Sequence, residues 1–205
     1  MRTSKLISAI LPDAPGLLPF RVETNFCVQA SALRLQFEER LSLSAHDSAG
    51  ITPLTYVFSE NRYCFLTASA EHVFTTEVLQ DLIERLHTWG HDQFGSDHVS
   101  TPQVRVYING CGREVLQDNV MLGWHYILSL THDDRPAAVA QIRLLVTNKA
   151  EDRGSHFGVC EFVSLQLPFN HLLVHETQNS YGVELLKSST MNPLKGSVFL
   201  DGYLW

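Results

Sequence analysis

The sequence lacks the features that mark several large classes of protein. No stretch reaches the roughly 18 consecutive apolar residues that a membrane-spanning helix requires. The 15 Lys and Arg residues are scattered along a chain of net charge -7, whereas nucleic-acid binding depends on a basic face that neutralises phosphates. We therefore expect no membrane segment and no nucleic-acid partner. Small molecules, peptides and other proteins remain as ligand classes.

Cysteine is sparse, and its spacing excludes the common cysteine motifs. No CxxC pair is present among the four cysteines, which are Cys27, Cys64, Cys111 and Cys160. In a chain of this size such residues are typical of buried thiols rather than of disulfides or a zinc site. The apolar stretch near the N-terminus is shorter than the usual signal-peptide core, and no small-residue cleavage site follows before Pro12. We therefore expect a cytoplasmic protein.

The first third of the chain predicts strands. Residues 1–20 contain three prolines and are typical of an arm or an edge strand. Apolar residues at 33, 35, 37, 41 and 43 follow a period of two with a break at Glu39, which predicts a strand with one wet face. Further strands are predicted over residues 21–28 and 54–58, with turns at 47–50 and 59–62.

The remainder predicts one helix followed by many short strands. A single apolar stripe predicts a helix over residues 76–89, with Thr75 or Thr76 as N-cap and Gly90 as its end; the stripe is Val78, Leu79, Leu82, Ile83, Leu86 and Trp89. From Gln103 onward, strands are predicted over residues 104–108, 125–130, 141–146, 172–174 and 196–205. This pattern favours a β-rich α+β domain built as a small barrel or sandwich.

Several segments of the second half follow the framework of a known family. Residues 103–110 resemble the strand that leads into the proximal HxD motif of prolyl-hydroxylase-type 2-oxoglutarate/Fe(II) oxygenases, and residues 125–131 resemble the strand after it. Residues 167–184 and 191–205 resemble the last strands of that family, whose frame is kept by Pro168, Asn170, Leu172, Leu173, Val174, Gly182, Val183, Pro193, Gly196, Leu200 and Gly202.

The resemblance covers about residues 75–205 and implies a distorted double-stranded β-helix, or jelly-roll barrel. One main helix, over about residues 76–89, would support this barrel. Residues 1–74 would add N-terminal strands and an arm, so we expect one domain over residues 1–205. The total of 205 residues, 44% of them hydrophobic, is sufficient for one substantial core.

The positions that carry chemistry in this family are changed. The resemblance implies an iron held by two histidines and a carboxylate, and an arginine that pairs with the co-substrate's carboxylate. These four positions are occupied here by Gln117, Asn119, Tyr181 and Ser197. Amides are poor ligands for Fe(II), and serine cannot form a two-pronged salt bridge. A one-residue slip would offer Asp118, but Leu116 then stands where the histidine belongs. We therefore expect no metal and no cofactor.

No catalytic residue is assigned, and three candidates remain: His125, Cys111 and Asp118. His125 could act as a base near pH 7, although a histidine between Trp124 and Tyr126 is more often a packed structural residue. Cys111 lies in a Gly-flanked turn and would need a base, for which His125 is the candidate. The expected substrate-binding set is Gln117, Asn119, Tyr181, Ser197, His125 and Trp124.

Two further features have both a functional and a structural interpretation. His171 and His175 have zinc-ligand spacing on a helix, but in a strand they would stand about 13 Å apart, so we expect no shared metal. The aromatic ending, residues 201–205, predicts a strand that closes the core. Its alternative is an aromatic surface for a homodimer partner or a peptide.

Three functions remain open. The leading one is a metal-free pseudo-oxygenase that binds a peptide or an amino-acid-like compound. Such a protein could present a peptide, including a ribosomal one, to partner enzymes of a natural-product pathway. The alternative is a metal-independent enzyme that performs acid–base, isomerase or cyclase-type chemistry in the old pocket. The third is an iron oxygenase whose ligands are not recognised.

Overall fold

The computed structural model describes residues 20–46, 53–60, 62–116, 123–132, 139–148, 159–187 and 191–205. The helices are α1 (Ala30–His46) and α2 (Thr76–Phe94), and short 3-10 helices cover Ala70–His72 and Pro193–Lys195. The strands are β1 (Phe20–Glu23), β2 (Thr55–Ser59), β3 (Tyr63–Ser69), β4 (Gln103–Tyr107), β5 (Gly112–Leu116), β6 (Trp124–Ser129), β7 (Gln141–Asn148), β8 (Val159–Gln166), β9 (Leu172–Glu176), β10 (Ser180–Val183) and β11 (Ser197–Leu204).

The strands form a curled antiparallel sheet in the order β1-β9-β6-β11-β4-β3-β5-β10-β7-β8, and β2 pairs with β3. Strand β3 connects the two halves of this sheet. Its residues Leu66–Ser69 pair with β4, and Tyr63 and Cys64 pair with β5. Because the sheet curls at this point, residues of β10 face residues of β6 across the interior. The architecture is the double-stranded β-helix that the sequence predicted.

Helix α2 confirms the predicted helix but is longer. Thr75 is its N-cap, as expected, while the C-cap is Gly95, with φ at 65°. Gly95 adopts the left-handed conformation that glycine tolerates best, so the helix ends there and not at Gly90. Gly90 lies inside the helix, where an added Cβ would come within 3.3 Å of Leu204. The absence of a side chain at Gly90 therefore lets α2 approach β11 closely.

Helix α1 corrects the strand predicted over residues 33–43. Leu33, Phe37 and Leu41 are buried at intervals of four, which places them on one face of a helix. Leu35 and Leu43, which completed the period of two, are 56% and 66% exposed. Residues 33, 37 and 41 fit both a strand with a period of two and one face of a helix. The segment is a helix because these three residues pack together into the core.

Six predicted strands are observed as β2, β4, β6, β7, β9 and β11. The strand predicted over residues 21–28 is shorter, since β1 ends at Glu23 and α1 begins at Ala30. Strands β3, β5 and β8 have no counterpart among the predicted strands. The predicted C-terminal strand is β11, which lies between β6 and β4 and is buried along most of its length. The prediction that the tail closes the core is therefore confirmed. The expected N-terminal arm before Phe20 and the turn at residues 47–50 lie outside the described residues. Within the described ranges, no helix is long and apolar enough to cross a membrane.

Candidate functional site

Polar side chains from six strands meet in the interior of the barrel. We call them the interior cluster: Arg105 on β4, Arg113 on β5, His125 on β6, His175 on β9, Tyr181 on β10 and Asp201 on β11. His125, His175, Tyr181 and Asp201 are each at most 3% exposed. Charged groups are seldom buried to this extent unless they are paired. The contacts within the cluster therefore determine what the barrel can do.

Tyr181 lies at the centre of the cluster. Its phenol oxygen accepts hydrogen bonds from the Nη1 atoms of Arg105 and Arg113. The guanidinium of Arg113 lies 4.2 Å from the centre of the Tyr181 ring, and the rings of His125 and His175 lie 4.7 and 5.2 Å from it. Burial raises the pKa of Tyr181 well above its usual value, so the phenol stays neutral. Tyr181 thus fills the space that faces β6 and β9.

The close approach of β10 to β5 depends on Gly182. An added Cβ there would lie 2.7 Å from the carbonyl oxygen of Arg113 and 2.8 Å from the amide nitrogen of Val115. Both contacts are with backbone, which cannot rotate away. Glycine at this position therefore allows the spacing of the two strands that brings Arg113 to Tyr181.

His125, His175 and Asp201 form a hydrogen-bonded chain. His125 Nε2 lies 3.2 Å from Asp201 Oδ2, and His125 Nδ1 lies 3.0 Å from His175 Nε2. At the far end, His175 Nδ1 lies 2.9 Å from the backbone carbonyl oxygen of Glu176. His125 and His175 stand directly opposite each other in the β6–β9 pairing. Cross-strand register therefore creates this chain.

Donor and acceptor rules fix the two ends of this chain. The Glu176 carbonyl can only accept, so His175 carries a proton on Nδ1. The Asp201 carboxylate can only accept, so His125 carries a proton on Nε2. Between the two rings, either His125 Nδ1 or His175 Nε2 can be the donor. The chain therefore connects the Asp201 carboxylate to the Glu176 carbonyl through two imidazoles.

Asp201 also pairs with the guanidinium of Arg105. Its Oδ1 lies 2.9 Å from Arg105 Nε, in a contact that is ionic without hydrogen-bond alignment. Burial pushes the pKa of Asp201 upward, but Arg105 and the hydrogen bond from His125 outweigh it and hold the pKa below its usual value. The same carboxylate raises the pKa of Arg105 against the effect of burial. Asp201 is therefore the carboxylate that balances the cations around it.

The structure brings some of the predicted site residues together and separates others. Tyr181 and His125 belong to the interior cluster. Ser197 is fully buried, and its Oγ accepts a hydrogen bond of 2.7 Å from the amide of Ala140. Trp124 stacks on Phe94 at 4.0 Å, so it packs away from His125.

The candidate pair of Cys111 and His125 is not formed. Both nitrogens of His125 are occupied by His175 and Asp201, and the Cys111 sulfur lies 3.1 Å from that of Cys64. His171 Nδ1 contacts the carbonyl oxygen of Phe169 and does not reach His175. Gln117, Asp118 and Asn119 lie outside the described residues. They follow β5, whose last residue, Leu116, pairs through its backbone with Tyr181.

The donor set does not fit a resident iron. The hydroxyl of Tyr181 accepts hydrogen bonds from two guanidinium groups. Ser197 accepts a hydrogen bond from a backbone amide and provides no positive charge for the carboxylate of a co-substrate. His125, His175 and Asp201 have the composition of a facial triad, but His125 stands between the other two. In that line their donor atoms bond to one another and do not converge on one point. Among the described residues, no group of three or more metal-ligating side chains is arranged to hold an ion.

An open groove lies next to the interior cluster and shares Arg113 with it. Its volume is about 580 Å³. Its walls carry the cations Arg62, Arg113 and Arg143 and the anions Glu114 and Glu184. The other lining residues are Phe58, Ser59, Tyr63, Cys64, Gly110, Gly112, Val115, Val183 and Leu185.

The groove has the properties of a binding surface. Phe58 and Leu185 are 64% and 60% exposed, so the groove presents apolar side chains to solvent. Arg143 pairs with Glu184 at 3.5 Å, and the three arginines that line the groove outnumber its two glutamates. Apolar contact beside a modest excess of positive charge suits a ligand that combines apolar groups with carboxylates.

Sequence reasoning missed Arg105, Arg113, His175 and Asp201 as members of one site. Each is an ionisable residue inside a strand, and Arg105 and Asp201 lie between two buried residues. This local signal can be seen in the sequence around Arg105, between Val104 and Val106. That signal identifies a residue that needs a partner, but the partner comes from another strand.

Comparison with known proteins establishes the fold. The chain matches no protein-family model and no curated protein. Among solved structures, it is similar over 91% of its length to a prolyl-4-hydroxylase of Pseudomonas putida, with a TM-score of 0.60, 14% identity and 92% of that chain covered. The chain therefore has the fold of prolyl-hydroxylase-type 2-oxoglutarate/Fe(II) oxygenases, as the resemblance implied.

Two other solved structures broaden this comparison. A Trichoplax adhaerens prolyl hydroxylase, in complex with a peptide fragment of hypoxia inducible factor, has a TM-score of 0.57 at 12% identity; the match covers 91% of this chain and 83% of that one. The non-heme α-ketoglutarate-dependent epimerase SnoN from nogalamycin biosynthesis has a TM-score of 0.64 at 9% identity, with 91% and 76% covered. One fold thus serves hydroxylases and an epimerase.

Proposed function

We propose that the chain is a metal-free member of this fold that binds a peptide or an amino-acid-like compound. The observation that carries the proposal is the interior cluster. The sequence frame assigns Tyr181 to the position of the family's distal histidine, and its hydroxyl is bonded to Arg105 and Arg113. The sequence offers no histidine at residues 116–119 either. A barrel filled in this way supports binding rather than oxygen chemistry.

The groove is the proposed binding surface. It is open, whereas His125, Tyr181 and Ser197 of the expected substrate-binding set are buried. Strand β2, which contributes Phe58 and Ser59 to the groove, pairs only with β3 in the described part of the chain. An extended peptide adding to that edge would place side chains against the apolar wall, and its carboxylates near Arg62.

The finer proposal concerns the biological setting. One solved neighbour holds a peptide, and two others, SnoN and the carbocyclase SnoK, come from nogalamycin biosynthesis. These likenesses support a protein that presents a peptide to partner enzymes of a natural-product pathway. The expected homodimer and cytoplasmic location stay predictions.

The absence of iron chemistry is tested by metal analysis. Protein purified with added Fe(II) is expected to retain well under one iron per chain. Titration with 2-oxoglutarate in a calorimeter is then expected to release no heat of binding. These results follow from the ligand set, because amides and a guanidinium-bound phenol are weak ligands for Fe(II). Stoichiometric iron together with 2-oxoglutarate binding would establish the third alternative, an iron oxygenase with unrecognised ligands.

The groove is tested with a labelled probe peptide. We expect a fluorescein-labelled peptide of alternating Leu and Glu to bind more tightly than its Leu–Lys counterpart, measured by fluorescence anisotropy. Arg62→Glu should weaken binding of the acidic probe about tenfold, because it replaces an attraction by a repulsion on the order of 1.4 kcal/mol.

Lys195→Glu is the matched control for that experiment. It makes the same change in net charge at an exposed residue outside the groove, so affinity should change by less than about twofold. Equal losses in the two variants would indicate a general charge effect and would remove the groove from the proposal.

A second candidate function is a metal-independent acid–base enzyme. The observation that favours it is the His125 imidazole, which lies in hydrogen-bond contact with Asp201 on one side and with His175 on the other. Such a group can hold and deliver a proton in a dry interior. Mass spectrometry of the bound probe distinguishes the two functions. Conversion of the peptide by the wild-type protein, lost in His125→Ala while binding persists, would identify the enzyme.

A further inference from the structure

Two cysteine side chains meet at the wall of the groove. The sulfur atoms of Cys64 and Cys111 lie 3.1 Å apart, and both residues are free thiols. Cys64 lies on β3 and pairs with Gly112, so Cys111 is the residue immediately before that pairing position on β5. The two cysteines are 47 residues apart in sequence. Their contact is created by the folded sheet and is not a local motif.

We propose that Cys64 and Cys111 are a redox modification site, at which a peroxide-class oxidant produces a reversible disulfide. A disulfide bond is about 2.05 Å long, so the sulfurs need to approach by only about 1 Å. The Cys64 sulfur attacks hydrogen peroxide and becomes a sulfenic acid as one water leaves. The Cys111 sulfur then attacks the Cys64 sulfur and a second water leaves, so two thiols and one peroxide give one disulfide and two waters.

The surroundings assign a different role to each thiol. Cys64 is partly exposed and lines the groove, and the hydroxyl oxygen of the exposed Tyr56 lies 2.9 Å from its sulfur. Cys111 is 1% exposed, and burial, with the contact from Cys64, raises its pKa to about 11. The buried sulfur is thus kept as a thiol and shielded from the oxidant. Cys64 reacts first, and Cys111 resolves it.

The cross-link would tie together two walls of the groove. Cys64 belongs to the β2–β3 hairpin, and Cys111 to the turn that connects β4 with β5. Because the bond closes a long loop, it restricts the unfolded chain strongly. This inference rests on the thiol pair alone, and it stands whether or not the groove binds a peptide.

The test is peptide mapping of the wild-type protein. Protein treated with hydrogen peroxide is alkylated at its free thiols, digested without reductant and analysed by mass spectrometry. The expected product is a linked peptide pair that contains Cys64 and Cys111, is lighter by two hydrogens, and disappears after dithiothreitol. The melting temperature of the oxidised protein is expected to rise by about 5 to 15 °C.

Variants separate this pair from the other cysteines. Cys64→Ser and Cys111→Ser should each lose both the linked peptide and the rise in melting temperature. Cys27→Ser should retain both, because the Cys27 sulfur is buried elsewhere and contacts Gln29. Recovery of Cys64 and Cys111 in alkylated form after treatment, or cross-linked to Cys27 or Cys160, would overturn the proposal. So would oxidation of Cys64 to sulfinic acid while Cys111 remains free.

Discussion

Asp201→Ala is expected to lower the free energy of unfolding by about 3 to 5 kcal/mol, the usual cost of removing one partner of a buried ion pair. The side chain of Asp201 is 4% exposed and contacts Arg105 at 2.9 Å and His125 at 3.2 Å. Without it, the guanidinium of Arg105 stays in the interior with no carboxylate to balance it, and His125 Nε2 loses its acceptor. Urea unfolding followed by circular dichroism measures the change as a shift of the midpoint at constant slope.

Asp97→Ala is the matched control on the surface. Asp97 also pairs with a histidine, since its Oδ1 lies 3.1 Å from His91 Nδ1, but its side chain is 72% exposed. Exposed ion pairs contribute about 0 to 1 kcal/mol, so a small shift is expected. Asp201→Asn keeps the shape of the side chain and removes only its charge. Its loss of unfolding free energy should lie between the losses in Asp201→Ala and Asp97→Ala. A loss in Asp201→Ala no larger than in Asp97→Ala would refute the role of Asp201 as the balancing carboxylate.

The same carboxyl gives a pH dependence of defined sign. The pKa of Asp201 is lower in the folded protein than its ordinary value, which is about 3.9 in an unfolded chain. Between these two values the unfolded state binds more protons than the folded state. The stabilisation is therefore complete above the unfolded pKa and is lost as the pH falls through the folded one. The urea midpoint of the wild-type protein should thus fall more steeply with acidification than that of Asp201→Asn.

The sequence predicted five of the eight strands after residue 102 and misassigned α1 as a strand, for a physical reason. The short apolar runs at residues 172–174 and 198–200 have few competing interpretations, because each is bounded by polar residues and is too short for a helix. In α1, Leu33, Phe37 and Leu41 fit both a period of two and a helical face. Exposed Leu35 and Leu43 completed the wrong pattern. The correct one is determined by what α1 packs against, which a local pattern does not contain.

The site was predictable only where one strand carried the information. The framework around Gly182 drew attention to Tyr181, which lies in the interior cluster, and Gly196 drew attention to the buried Ser197; their correspondence to the family's histidine and arginine stays a prediction. The chain from His175 through His125 to Asp201 arises from three strands whose order in the sheet is β9-β6-β11. Their register is a non-local property of the fold, so the sequence suggested His125 as a lone histidine. It also left Cys64 and Cys111 as unrelated thiols.

Tyr181→Ala is the second variant with a large expected effect, a loss of about 3 to 5 kcal/mol in the free energy of unfolding. Truncating a fully buried ring leaves a cavity, and that cost alone is about 3 to 5 kcal/mol for a phenylalanine or tryptophan. Here the ring also contacts His125, His175 and the guanidinium of Arg113. Tyr181→Phe keeps those ring contacts and removes only the oxygen. It should cost about 1 to 3 kcal/mol, since Arg105 and Arg113 lose the acceptor that they share.

Tyr126→Phe is the control that measures how much unfolding free energy is lost when an ordinary buried hydroxyl is removed. Tyr126 is also fully buried, and its hydroxyl donates to the carbonyl oxygen of Ser100 at 3.2 Å. Removing that neutral hydrogen bond should cost about 1 kcal/mol. A larger loss in Tyr181→Phe than in Tyr126→Phe would show that the phenol stabilises the two guanidinium groups. If the two variants lose the same free energy, Tyr181 acts as a packing residue only. Asp201 and His125 would then be the residues that hold the interior cluster together. The hypothesis that Tyr181 structurally replaces a metal ligand would be wrong.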